Sequence, residues 1–276
     1  MSSLVVNTNL SALMAVNNLN ATDTKMNQAI QELSSGLKIQ TAANGPAAYV
    51  TSQALESQSN GYQVAINNAQ NGVSLIQTAS GALNQISNIL QQMNQLALTS
   101  ANGATQDSTS LSANQSEFSA LTADINQIAS TTSYGTTNLL NGSFSNQVLQ
   151  VGSFNNTNQQ ISLSISAATA SALGISSSIS IGSVASAQAA ITAVQNAISS
   201  VDSIEAGVGA TQNELTAVAA NLTVGQQNLT AAYSQLVNVN MAQEMTTFST
   251  AQILEQTGVS MLQQAQAAPQ AVLKLV

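Results

Sequence analysis

YQVAINNAQNGVSLIQTASGALNQISNILQQMNQLA, residues 62–97, places Tyr62, Ala69, Ile76, Leu83, Leu90 and Ala97 seven apart. Ile66 and Val73, then Ala79, Ile86 and Met93, fill a second row between them. An ideal helix drifts by about 20° per heptad against such a repeat, so a repeat held this long predicts left-handed supercoiling against partner helices. Periodicity by itself describes the core of an ordinary helical bundle as readily as any specialised coiled coil.

Towards the N-terminus, the stretch from Val5 to Leu37 carries Leu19, Met26, Ile30, Leu33 and Leu37 in steps of seven, four, three and four, a second coiled-coil seam. Ser34-Ser35-Gly36 tolerates a bend. Asn44-Gly45-Pro46 reads as a break, because the residue before proline is driven out of the α region. Towards the C-terminus, Asn102-Gly103 ends the long helix, and Leu111, Phe118, Leu121, Ile125 and Ile128 define a shorter one. Between Tyr134 and Ile181 the period drops to two. Leu149-Gln150-Val151 and Ile161 to Ile165 alternate on either side of Gly152 and the run Asn155-Asn156-Thr157-Asn158, which predicts a β-hairpin. Helix returns at Ala185 and continues through Leu215, Val218, Leu222, Leu229, Tyr233 and Leu236 to the amphipathic stretch Ala251–Val276. The fold class is therefore mainly α: an antiparallel or parallel coiled-coil helical bundle with a small β-hairpin region, its N- and C-terminal helices side by side.

Composition narrows function. Of 276 residues only 5% are charged, against roughly 25% in typical soluble domains, while 44% are hydrophobic, so low hydrophobicity with high charge is not available as a route to disorder. The net charge is −8 with three cations, Lys25, Lys38 and Lys274, which argues against nucleic acid or anionic lipid as a partner. No apolar run approaches the roughly 20 residues of a membrane span, and no basic stretch followed by an apolar core marks a cleaved signal peptide. There is no His, Cys or Arg, no phosphate-binding glycine loop, and no base to activate the many Ser and Thr hydroxyls. No catalytic, cofactor or metal site is expected. The methionines, Met14, Met26, Met93, Met241, Met245 and Met261 among them, read as packing residues.

Several motifs together carry a resemblance. Leu33-Ser34-Ser35-Gly36-Leu37-Lys38-Ile39, Asn67 to Leu75 (NNAQNGVSL), Gly81-Ala82-Leu83 and Leu139 to Phe144 (LLNGSF) resemble the N-terminal half of bacterial flagellin. Ala251-Gln252-Ile253-Leu254 and the Gln-rich, Pro-containing end resemble its C-terminal half. The resemblance spans nearly the whole chain and implies a self-polymerising subunit of the flagellar filament, extracellular and exported without a cleaved peptide. The alternative within the same axial family is a hook-filament junction protein.

The resemblance also implies an organisation. Residues 1–44 and 235–276 would form a discontinuous inner-tube coiled coil, with Leu19, Met26, Ile30, Leu33 and Leu37 meeting Leu236, Met245, Phe248, Ile253, Leu254 and Leu262. Residues 45–234 would form an outer-tube helical domain without further outer domains, its hairpin region near 142–182. The core of that domain would hold Ile66, Val73, Ile76, Leu83, Ile86, Leu90, Met93, Phe118, Leu121, Ile125, Leu215, Leu222 and Leu229. The implied partners are further copies of the chain, an export chaperone, and cap and hook-junction proteins. O-linked sugars are implied on the Ser and Thr residues of 105–112 or 155–183.

Charge is where the chain departs from the pattern it resembles. Asn44 and Gly45 stand where flagellins carry paired Asp, Val237, Asn238 and Asn240 replace an acidic run, and Thr250 replaces an Arg. Apolar seams and neutral hydrogen bonds are expected to replace those ion pairs, with indifference to acid as the consequence. In the segment resembling the one that vertebrate flagellin receptors recognise, Gln92 and Asn94 stand in place of Arg, while Leu96 and Glu117 match, so weak receptor activation is expected.

Overall fold

The computed structural model describes residues 8–176 and 178–273. Five helices carry the chain: α1 Leu10–Ser35, α2 Pro46–Ser100, α3 Ser108–Thr131, α4 Val184–Val237 and α5 Met241–Leu273. Four short strands lie between α3 and α4: β1 Ser133–Tyr134, β2 Thr137–Asn138, β3 Gln147–Gln150 and β4 Gln160–Leu163. Among the described residues no helix is long and apolar enough to cross a membrane.

Helix ends follow local chemistry. Asn9 caps α1 by accepting from the Ala12 N–H at 3.1 Å. Gly36 ends it in the left-handed region at φ 73°, its N–H donating to the Glu32 carbonyl at 2.8 Å. Pro46 opens α2 at the one position where a missing N–H costs nothing. Asp107 caps α3 by accepting from the Ser110 N–H at 2.7 Å.

The chain divides into two compact units whose boundaries fall inside α2 and α4. The larger runs from Gln58 to Asn228. In it, the buried positions of α2 from residue 69 on are Ala69, Gly72, Ile76, Ala79, Leu83, Ile86, Leu90, Met93, Ala97 and Ser100, alternating steps of three and four, with Ala65 and Ile66 buried before them. α4 answers with Ala187, Ala190, Val194, Ala197, Val201, Val208 and Leu215. The two run antiparallel: Gly72 lies under Leu215, Tyr62 over Gly225, and Gly103 against Val184. α3 adds Phe118, Ile125 and Ala129 to the same core.

The hairpin read from the period-two segments is present. β3 and β4 are antiparallel in the register Leu149↔Ile161 and Gln147↔Leu163, and the side chain of Asn68 on α2 donates to the Gln150 carbonyl at 3.1 Å. A second, minimal hairpin, β1 with β2, turns through Gly135 at φ 61°. Two residues per strand are too few to show alternation, and this element was not legible in the sequence.

The smaller unit comprises the described residues up to Ser57 together with those from Leu229 onward. In it α1 and α5 pair antiparallel. The side chain of Asn9 donates to the Ala265 carbonyl at 2.7 Å, Leu19 packs over Gly258, and the Val239 N–H donates to the Gly36 carbonyl at 3.0 Å. A bridge between Leu37 and Asn238, with the Lys38 N–H on the Val237 carbonyl at 2.7 Å, ties off the far end.

Candidate assembly surfaces

On α1 the half-buried or buried residues are Ala12, Ala15, Leu19, Thr22, Asp23, Met26, Ala29, Glu32 and Leu33, with Gly36 following at the C-cap, so a row stepping in threes and fours is joined by two acids. On α5 they are Glu244, Phe248, Ala251, Glu255, Gly258, Leu262 and Ala265. The seam between these helices therefore mixes small residues, Ala12, Ala15, Ala29, Ala251, Gly258 and Ala265, with Leu19, Met26, Leu33, Phe248 and Leu262. Of the side chains expected here, Leu19, Met26, Leu33, Leu37, Leu236, Phe248 and Leu262 are half-buried in this unit.

Ile30, Met245, Ile253 and Leu254 are placed differently. They are 46%, 50%, 63% and 53% exposed, with Leu254 lining the grooves along the pair. Leu10, Leu13, Met14, Val16, Met241, Val259 and Met261 share that exposure. The sequence reading passed over the small seam residues, although Ala12, Ala15, Ala29, Ala251, Gly258 and Ala265 keep the heptad step. Scoring only large side chains hides such a seam. Val5 to Asn7, Lys274, Leu275 and Val276 lie outside the described residues.

Two grooves of about 730 and 420 Å³ run along the helix pair and share Asn18, Thr22 and Leu254. Their walls are mostly Thr, Asn, Gln and Ala, with Lys25 the cation in the larger one. Four acids fall on the same pair: Glu32 is buried and accepts from the Gln28 side chain at 2.8 Å, while Asp23, Glu244 and Glu255 are half-buried.

In the larger unit Ile66, Ile76, Leu83, Ile86, Leu90, Met93, Phe118, Ile125, Leu215 and Leu222 are buried, and Val73 and Leu121 pack against them half-buried. Leu229 is half-buried and belongs to the smaller unit. Gln92 and Glu117 are exposed and Leu96 is half-buried against the core. A shallow apolar groove of about 200 Å³ lies between α2 and the hairpins, lined by Leu75, Tyr134, Phe144 and Val148 among others. Among the described residues no group of three or more potential metal-ligating acids comes together. Asp107 titrates below the ordinary aspartate range because the Ser110 backbone N–H stabilises its charged form.

The architecture is two helical units, each built from both halves of the chain, with unpartnered apolar side chains along the terminal helices. Residues 6–145 match the bacterial flagellin N-terminal helical region and residues 191–276 the bacterial flagellin C-terminal helical region. The chain belongs to the flagellin family. A flagellin of Halalkalibacterium halodurans is 35% identical over 99% of this chain and the whole of that protein. The crystal structure of Bacillus cereus flagellin, 27% identical, superposes with a TM-score of 0.51 over 60% of this chain and 94% of the other. A putative flagellar hook-associated protein from Vibrio parahaemolyticus, 14% identical, shares the fold, with a TM-score of 0.58 over 71% of this chain and all of that one. The sequence kinship is with filament proteins, and this flagellin is a structural subunit of the flagellar filament that serves motility.

Proposed function

We propose that this flagellin polymerises through the outward faces of the paired α1 and α5. The observation that carries the proposal is the stripe of large apolar side chains, Leu13, Met14, Ile30, Met245, Ile253 and Leu254, left exposed beside the seam. Water contact with that stripe is unfavourable by about 25 cal/mol per Å², so neighbouring copies that cover it supply the association energy. Residues 1–44 with 235–276 act as the inner-tube coiled coil and residues 45–234 as the outer tube, with no catalytic role for either. The subunit reaches the cell exterior by the family's export route, with an export chaperone, cap and hook-junction proteins as transient partners. O-linked sugars are carried on exposed Ser and Thr residues of 105–112, at the start of α3, or of the hairpin region.

The double variant Ile253→Gln, Leu254→Gln tests the assembly surface. It should stay monomeric under conditions where the parent forms filaments in negative stain, while helical content and thermal unfolding of the monomer stay unchanged. Normal filaments from this variant would refute the assignment. Gln92, exposed where receptor-activating flagellins carry a charged Arg, points to weak activation of the vertebrate flagellin receptor. A reporter-cell assay showing full potency would overturn that reading.

A further inference from the structure

The sequence contains Asn-Gly steps at Asn44-Gly45, Asn60-Gly61, Asn71-Gly72, Asn102-Gly103 and Asn141-Gly142. Glycine has no Cβ to shield its backbone nitrogen or to restrict its approach. That nitrogen can attack the side-chain carbonyl carbon of the preceding Asn. A C–N bond closes a succinimide ring and the side-chain nitrogen leaves as ammonia. Water then opens the ring at either carbonyl, giving Asp or isoAsp. Nothing is oxidised or reduced, and water is the only co-reactant. The attack needs a glycine N–H free of hydrogen bonds and an Asn able to leave its resting backbone conformation.

The fold separates the five steps. Asn60 and Asn71 lie inside α2, where the N–H groups of Gly61 and Gly72 belong to the helical ladder. Gly61 is further pinned beneath Ser153, and Gly72 beneath Leu149 and Leu215. Asn141 sits in a turn, but its Oδ1 accepts from both the Ser143 N–H at 2.9 Å and the Ser143 hydroxyl at 2.7 Å, directly after the buried pair Leu139 and Leu140. Asn44 is held by the Thr41 hydroxyl on its Oδ1 at 2.6 Å and by its own N–H on the Thr41 carbonyl at 3.0 Å.

Asn102 is held least. It is exposed in the turn between α2 and α3, and its Oδ1 accepts one long bond, 3.3 Å from the Ala104 N–H. The backbone bonds of this turn run from the Asn102 N–H to the Thr99 carbonyl and from the Thr105 N–H to the Asn102 carbonyl, at 3.2 and 3.3 Å, and neither uses the Gly103 N–H. A Cβ at position 103 would stand 3.0 Å from Val184 Cγ2. Packing therefore retains the residue that makes the step reactive.

We propose that Asn102-Gly103 is a site of spontaneous succinimide formation and deamidation. The product places a new carboxylate five residues before Asp107, the N-cap of α3, in a chain with only three cations. The isoAsp form also lengthens the backbone of the turn by one methylene. The full-length chain, as monomer and as filament, is incubated in mildly alkaline buffer made with 18O-water. It is then digested with a protease that cleaves at Phe, Tyr and Leu, since Lys is scarce, and mapped by mass spectrometry. Label should appear first and most strongly at residue 102, later at 141 and 44, and not at 60 or 71. The variant Asn102→Gln should lose label in that peptide alone, with the other sites unchanged. Label at residue 60 or 71 as early as at 102, or none at 102, would overturn the assignment.

Discussion

Single side chains carry two jobs at the ends of the helices. Asn9 accepts from the first turn of α1 and donates to the Ala265 carbonyl of α5, so capping and helix pairing depend on one amide. Replacing it with Ala should cost about 1–2 kcal/mol and speed hydrogen exchange at both helix ends; Asn9→Asp should keep the cap and lose only the tie to α5. Asp107 titrates low because its charged form receives the Ser110 N–H. A carboxyl whose folded pKa is depressed stabilises the fold above its unfolded pKa, and that contribution disappears as pH falls through the folded value. Asp107→Asn keeps an N-cap acceptor without the titration. Urea melts across the acid range should therefore show a flatter acid limb for the variant, with neutral stability nearly unchanged. Breaks at Gly36, Asn44-Gly45-Pro46 and Asn102-Gly103 were legible, whereas the caps Asn9 and Asp107 were not read from the sequence. Nor were their partners, since the bond from Asn9 to Ala265 joins residues 256 apart.

At the scale of elements, α2 was the most legible part of the chain because large residues held its heptad. Its two buried faces have different tolerances. Leu83 is fully buried in the larger unit, and Leu83→Ala should lower unfolding free energy by about 2–5 kcal/mol in denaturant titration. Gly72→Ala adds rather than removes volume: its Cβ would stand 2.6 Å from Leu149 Cδ2 and 3.0 Å from Leu215 Cδ1. Overpacking of that kind costs about 1–3 kcal/mol and should loosen the β3–β4 hairpin first, read as faster exchange at the Val148 to Gln150 amides. The α1–α5 pair was legible only in outline. Some of its large apolar residues, Leu19, Met26, Leu33, Phe248 and Leu262, enter the seam beside Ala and Gly, while Ile30 and Leu254 among others stay exposed.

At the scale of the whole molecule, scarcity of charge leaves assembly to apolar and amide contacts. The acids on the terminal pair, Asp23, Glu32, Glu244 and Glu255, carry the same sign, whereas Lys25 and Lys38 are exposed. Exposed charges screened by salt contribute little to the contacts between copies. Filaments should therefore persist in acid and at high ionic strength longer than those of a charge-rich flagellin, as scored by sedimentation and negative stain. Faster disassembly in acid would show that the carboxylates hold the polymer together. The sequence by itself determined that the chain is mainly helical and that it is a flagellin, because heptad spacing and short motifs are local, but not the break at 238–240 that separates α4 from α5. Only the tertiary structure decided which apolar stripe closes the subunit and which stays open for neighbours. That choice depends on how closely two backbones approach, and the approach is set by small residues that carry almost no hydropathy signal of their own.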